Sequence, residues 1–206
     1  KDRLPLNMSN PSRTFRLFIS STFSDMLHER RILHEEVFPE LSALCSSRGA
    51  RFQAVDLRWG VNEDAQLDHK TMDICLGEID RCQRLSPKPN FLVLLGDRYG
   101  WEPIPTRIRS EEYERLEDAA TDEETQLLSR WYRRDDNAVP PVHALVPRDS
   151  AHAAYEGWLS VETQLRSALR RLVDEVDIPE SSRSKYLHSA THQEIVRGAL
   201  TLPKKR

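Results

Sequence analysis

The sequence predicts an α/β fold in which a mainly parallel central sheet is covered by helices. Three short apolar runs, at residues 17–19, 52–57 and 91–95, have the length and character of buried strands. The two stretches between them carry apolar residues at helical spacing. Because strands that alternate with helices pair in parallel through right-handed crossovers, we expect the carboxyl ends of all three strands at one edge of the sheet.

The first strand leads into a turn rich in hydroxyl groups, at residues 20–24, and then into a helix. Apolar residues recur at helical spacing from Met26 to Leu44, and the chain then reaches Gly49, a residue type that ends helices readily. Pro39 lies inside this pattern and has no backbone N–H to donate. We therefore predict a kink or a restart of the helix just before it.

The second strand brings Asp56, Arg58 and Trp59 to its far end. The helix predicted at residues 72–82 ends before Pro87, and the third strand at residues 91–95 is followed at once by the segment GDRYGW. The sequence thus predicts polar and aromatic side chains at the ends of neighbouring strands.

The composition argues against a nucleic-acid-binding protein and against a membrane protein. The chain has 206 residues and a formal net charge of −3, with 38% hydrophobic and 31% charged residues. Acidic and basic residues alternate, which does not favour nucleic-acid binding, and no apolar run is long enough to cross a membrane. The start of the sequence lacks the apolar core of a signal peptide, so we expect a cytoplasmic location. Neither the three cysteines nor the histidines have the spacing of a metal site.

We expect one domain at residues 13–200, preceded by a linker or tail at 1–12 and followed by a tail at 201–206, where we expect the chain to be truncated. Residues 102–188 break the alternation of strands and helices and predict a mainly helical insertion. Within it, Val139-Pro140-Pro141 leads into an extended segment, and apolar spacing from Trp158 to Leu172 predicts a long helix. A last helix begins near residue 191.

The strand ends provide the candidate binding site. Ligands collect at the carboxyl ends of parallel strands, and the start of a helix offers unpaired N–H groups to anions. The candidate ligand-binding residues are Ser20, Ser21, Thr22, Phe23, Arg58, Trp59, Arg98 and Tyr99.

Each of these assignments has a structural alternative. Ser24 can simply cap the first helix, and Trp59 and Tyr99 can close the core instead of stacking on a ligand. Arg58 and Arg98 can bind a pyrophosphate or can instead pair with nearby carboxylates of Asp56, Asp97 or Glu78.

Five segments now point to a family. FISSTFSDMLHERR, VDLRWGV, GEIDRC, LLGDRYGW and SATHQEIVRGAL occur in this order. Together they resemble the TIR-like domain of unknown function found at the N-terminus of NACHT and other STAND NTPases, including NACHT and WD-repeat proteins and nephrocystin-type proteins. The resemblance covers nearly all of residues 13–200.

The resemblance implies a flavodoxin-like or TIR-like three-layer fold that serves as an effector or signalling domain. It also implies that the domain associates with copies of itself and precedes a C-terminal NTPase and a repeat sensor. Some TIR domains hydrolyse NAD with a glutamate, and the pattern Ser189-x-Thr191-x-x-Glu194 resembles their catalytic segment. NAD would then be a substrate, no cofactor would be required, and Glu194 would be catalytic.

A carboxylate suits that chemistry because breaking the bond between nicotinamide and ribose builds positive charge on the sugar. Thr191 and Glu194 also have the spacing of a capping box, which is a purely structural role. The alternative function is a domain that assembles or recruits partners without chemistry.

Overall fold

The computed structural model describes residues 13–22, 25–57, 70–152 and 154–201. Its contacts divide the chain into two units. The described residues of the first unit lie within 1–60, 74–100 and 194–206, and those of the second lie within 61–73 and 101–193. In the described part of the chain, no helix has both the length and the apolar character needed to cross a bilayer.

The first unit is built on a parallel sheet. Its elements are β1 (Thr14–Ser20), α1 (Leu27–Ile32), a π-helical turn (Leu33–Val37), α2 (Phe38–Ser47), β2 (Arg51–Val55), α3 (Thr71–Leu85, which begins in the second unit) and β3 (Phe91–Val93). The strand order is β2-β1-β3, and Phe18 of β1 pairs with Val55 on one side and Phe91 on the other. This sheet confirms the predicted α/β class and is compatible with a flavodoxin-like fold.

The first helix is interrupted where Pro39 predicts it. A proline lacks the N–H that an α-helix uses, and its ring crowds the carbonyl four residues earlier, here that of Glu35. The π-helical turn separates α1 from α2 immediately before Pro39, which lies in the first turn of α2. α2 ends at Ser47, and Gly49, two residues later, has a φ of +69°, the left-handed conformation typical of the position after a helix.

The core of the first unit lies between the sheet and α3. Ile79 and Cys82 of α3 are buried with Phe18, whose ring stacks on Phe91 with centroids 6.0 Å apart. The third strand is shorter than predicted. β3 ends at Val93, although the N–H of Leu94 still donates to the carbonyl of Ser20, and Leu95 is 66% exposed.

The second unit has its own sheet and core. Its elements are β4 (Arg107–Arg109), α4 (Ser110–Asp118), α5 (Asp122–Trp131), β5 (Tyr132–Asp135), β6 (Val142–Leu145), a 3₁₀ turn (Ser150–His152), α6 (Tyr155–Glu175) and α7 (Glu180–Leu187). The strands form an antiparallel sheet in the order β4-β6-β5. Trp131 and Trp158 meet edge to face in its core, with centroids 5.0 Å apart.

The sequence predicted a mainly helical region, the long helix α6 and the extended segment that is β6, but not α7. It did not predict a sheet, because β4 (RIR) and β5 (YRRD) are short, charged and without an apolar run. The last elements of the described chain are α8 (Ala190–Ile195) and a second π-helical turn (Val196–Leu200).

Candidate functional site

The candidate site is centred on the carboxyl group of Glu194. Ser20, the last residue of β1, donates its hydroxyl to Glu194 Oε2 at 2.5 Å. Ser20 is 1% exposed and Glu194 is 8% exposed. The Cys75 thiol of α3 lies beside this carboxyl group and can donate to it. We call Ser20, Cys75 and Glu194 the acidic centre. It lies at the carboxyl end of the central strand, so the structure brings Glu194 to the serine-threonine turn.

Burial controls ionisation in the acidic centre. Desolvation raises the pKa of Glu194, while the hydrogen bonds from Ser20 and Cys75 and the charge of Arg30 act in the opposite direction. Burial and the neighbouring Glu194 also raise the pKa of the Cys75 thiol well above its usual range. The thiol therefore keeps its proton and acts as a hydrogen-bond donor.

A second polar cluster surrounds Arg30 of α1. The guanidinium group is buried, at 3% exposure; its Nε donates to Ser21 Oγ at 2.8 Å and its Nη1 pairs with Asp56 Oδ1. His34 Nε2 lies 3.1 Å from the other oxygen of Asp56. We call Ser21, Arg30, His34 and Asp56 the Arg30 network. It connects the turn after β1 to the end of β2.

A cavity of about 720 Å³ opens beside this network. Its lining residues are Leu27, Arg30, Arg31, His34, Glu35, Ala54 and Asp56. Two of them, His34 and Glu35, belong to the π-helical turn, a feature often found at functional sites. At the carboxyl end of β2, the apolar side chains of Leu27 and Ala54 line this cavity together with charged side chains of both signs, a combination typical of small-molecule sites.

The loop after β3 leaves both of its predicted site residues, Arg98 and Tyr99, exposed to solvent. The backbone N–H of Arg98 donates to Asp25 Oδ2 at 3.2 Å, and the residue is exposed. Tyr99 is 51% exposed, so its ring does not close the core as the structural alternative required. Thr22 is buried in the turn after β1, and its Oγ1 has no hydrogen-bond partner within the described residues.

Three predicted site residues, Phe23, Arg58 and Trp59, lie outside the described residues, as does Ser24. Two of the carboxylates suggested as partners for Arg58 and Arg98 have other partners. Asp56 pairs with Arg30 and His34, and Glu78 pairs with Arg16 and Arg81. For Asp97, the third suggested partner, the described residues show no ion pair.

The predicted capping box at Thr191 is wrong. α8 begins at Ala190, so the residue before it, Ser189, is the N-cap, and Ser189 Oγ accepts from the backbone N–H of His192 at 3.3 Å. The Glu194 carboxyl is instead used in the acidic centre.

Sequence reasoning missed Arg30, His34 and Cys75. Arg30 had a readable signal, because it lies four residues after Met26 and three before Leu33, on the apolar face of the first helix. A charge on that face requires a buried partner. His34 and Cys75 carried no comparable signal.

The fold and the site together define an α/β domain with a buried acidic centre at the carboxyl edge of a parallel sheet. Residues 16–144 match the model of a family described as "Domain of unknown function (DUF4062)". This match covers more than half of the chain, so the chain belongs to that family.

Relatives in other proteins extend the comparison. The chain is 32% identical over 93% of its length to NACHT and WD repeat domain-containing protein 2 of Mus musculus, covering 12% of that protein. It is 35% identical over 76% of its length to NACHT domain- and WD repeat-containing protein 1 of Homo sapiens, covering 10% of that protein. It is 38% identical over 48% of its length to Telomerase protein component 1 of Rattus norvegicus, covering 4% of it. The chain thus spans about a tenth of the NACHT relatives, and no solved structure matches it significantly.

Proposed function

We propose that this chain is an effector domain of a larger NACHT-type NTPase and that it hydrolyses NAD when the parent protein oligomerises. The observation that carries the proposal is the contact between Ser20 and Glu194, which puts one acidic group at the sheet edge where α/β domains bind ligands. The similarity to NACHT and WD repeat proteins supports the choice of parent.

The reaction needs few catalytic groups. The bond between ribose C1 and the nicotinamide nitrogen breaks, and its electron pair leaves with neutral nicotinamide. Water then adds to C1 and releases a proton, which gives ADP-ribose. The sugar carries positive charge between these steps, and the ionised Glu194 carboxylate would stabilise it. The Thr22 hydroxyl, which has no hydrogen-bond partner within the described residues, lies in the neighbouring turn, where it can donate a hydrogen bond to a phosphate oxygen.

Because Glu194 is buried, we expect hydrolysis of NAD to require assembly of the parent protein. Glu194 is only 8% exposed, so a ribose ring cannot contact its carboxyl group while the site is closed. A productive complex therefore requires movement of the turn after β1. Oligomerisation of the parent would supply the free energy for that movement, because a partner that binds only the open state shifts the population toward it.

A specific observation also favours the non-catalytic alternative, in which the domain assembles with copies of itself or recruits a partner. Ser20 donates to Glu194 and the Cys75 thiol lies beside it, so the carboxyl group already has its partner within the fold. A buried, satisfied carboxyl group is a sufficient structural feature without any substrate.

The experiment that separates the two functions is release of nicotinamide from NAD by the oligomerised full-length parent. We expect release by the wild type and its loss in Glu194→Gln. The matched control is Glu162→Gln, which changes another buried carboxyl group, bonded to Trp101 Nε1 at 3.0 Å, in the second unit. Equal release by Glu194→Gln and wild type would exclude Glu194 as the catalytic group. No release from an assembled, folded parent would support the non-catalytic function.

A further inference from the structure

We propose that Ser20 and Cys75 are positioning residues that hold the Glu194 carboxyl group as a hydrogen-bond acceptor and favour its charged form. Ser20 carries the proposal because its hydroxyl is 2.5 Å from Glu194 Oε2 and is almost completely buried. The catalytic meaning of this arrangement rests on the proposed hydrolase function, but the arrangement itself can be tested without NAD.

The chemistry of the three side chains gives the direction of the effect. An ionised carboxylate only accepts hydrogen bonds, whereas a hydroxyl and a protonated thiol can both donate. Two donors directed at one carboxyl group therefore favour its charged form and oppose the effect of burial. The hydroxyl is the stronger donor of the two, so Ser20 has the larger influence.

The surrounding charges do not replace these donors. Arg30 of α1 favours the charged form of Glu194, but its guanidinium group is bonded to Ser21 and to Asp56. Asp56, after β2, opposes ionisation of Glu194 through its own charge. The donors from β1 and α3 thus act against both burial and Asp56.

This arrangement links the turn after β1 both to access to Glu194 and to the ionisation of its carboxyl group. Ser20 ends the strand and Ser21 bonds to Arg30, so adjacent residues hold the acidic centre and the Arg30 network. A movement of the turn that also displaced Ser20 would expose Glu194 and remove its strongest donor. Ionisation of Glu194 and access to it are therefore coupled through Ser20.

The test is an NMR titration of the Glu194 side-chain carboxyl carbon, assigned by its disappearance in Glu194→Gln. We expect the titration midpoint to move to higher pH in Ser20→Ala and, by a smaller amount, in Cys75→Ala. Cys75→Ser supplies a stronger donor and should move the midpoint to lower pH. The matched control is Cys82→Ala, a buried cysteine of the same helix and core whose midpoint should equal that of the wild type.

The variants test the positioning roles of Ser20 and Cys75 separately. An unchanged midpoint in Ser20→Ala would overturn the proposal. If the midpoint moves in Ser20→Ala but not in Cys75→Ala, Ser20 positions Glu194 and Cys75 does not. If Ser20→Ala does not fold, Ser20→Cys keeps the shape and a weaker donor, and its midpoint should still rise. A changed midpoint without nicotinamide release would refute only the hydrolase function, whereas release with unchanged midpoints would refute only the positioning role.

Discussion

The guanidinium group of Arg30 donates to Ser21 and pairs with Asp56, so the helix after β1 is joined by one buried side chain to the ends of two parallel strands. Both charged side chains are almost inaccessible to water, with 4% and 3% of their side-chain surfaces exposed. The free energy of removing two charges from water is recovered only while they remain together.

Removing one member of this pair should strongly destabilise the first unit. We expect Arg30→Met to lower the free energy of unfolding by roughly 3–5 kcal/mol, because it removes the guanidinium group that pairs with the buried Asp56 carboxylate. The double variant Arg30→Met/Asp56→Leu should lose less than the sum of the single variants. Urea unfolding at neutral pH measures all three.

The matched control for this cycle is Arg81→Met. Arg81 pairs with Glu78 on the surface, with half of its side chain exposed, and such pairs contribute about 1 kcal/mol or less. Strict additivity of the Arg30 and Asp56 substitutions would contradict the account of a coupled buried pair.

Glu194 should make stability depend on pH. Its pKa is raised in the folded protein, so folding is favoured while the group is protonated, and this contribution is lost as pH rises from about 4.5 through the folded pKa. Glu194→Gln cannot ionise and should not show this loss. The variant should therefore gain stability relative to wild type between pH 4.5 and neutrality, by about 1.4 kcal/mol for each unit that separates the two pKa values.

Urea unfolding of both proteins across this pH range gives the comparison. Below pH 4.5 the difference between them should be constant. If the difference in stability also stays constant up to neutral pH, burial does not raise the pKa of this carboxyl group.

Gly198 should tolerate no side chain. A Cβ at this position would lie 2.5 Å from Phe91 Cε2, far inside the normal contact distance, while Phe91 is itself stacked on Phe18. We expect Gly198→Ala to cost about 1–3 kcal/mol in urea unfolding through overpacking.

Gly77 provides the opposite case within the same unit. It lies inside α3, and an added Cβ would meet nothing within 4 Å. Gly77→Ala should stabilise the protein by roughly 0.5–1 kcal/mol because alanine restricts the unfolded chain and favours the helix. Equal effects of the two substitutions would refute the close packing at Gly198.

In the second unit, Thr121 caps α5. Its Oγ1 accepts from the N–H of Glu124 at 3.3 Å, and Glu124 Oε2 accepts from the N–H of Thr121 at 2.9 Å. Thr121→Ala should cost about 1 kcal/mol of stability. Thr125→Ala, in the interior of the same helix, removes no cap and should be neutral or slightly stabilising. An equal loss at both positions in thermal unfolding would show that the capping box has no effect.

Periodicity predicted the first unit well, because its elements depend on local pattern. The strands at β1, β2 and β3, the amphipathic α3 and the interruption before Pro39 all follow from apolar spacing and from the missing N–H of proline. The antiparallel sheet of the second unit depends instead on pairing between short charged strands that are distant in sequence. No pattern of apolar residues along these strands predicts that pairing.

The site was predictable only where topology determined it. Parallel pairing placed the end of β1 at the ligand-binding edge, and the family resemblance singled out Glu194. The pairing of Arg30 with Asp56 depends on how α1 is rotated against the sheet, which is a tertiary property. The position of the α8 cap was misread by two residues, since Ser189 and Thr191 both fit the pattern of a capping residue.

The most direct test of the hydrolase function is the time course of free nicotinamide and ADP-ribose in a reaction of NAD with the assembled parent protein. The account predicts that both products accumulate in equal amounts and that neither forms with Glu194→Gln. Products that form at the same rate with that variant, or no product from the assembled wild type, would contradict it.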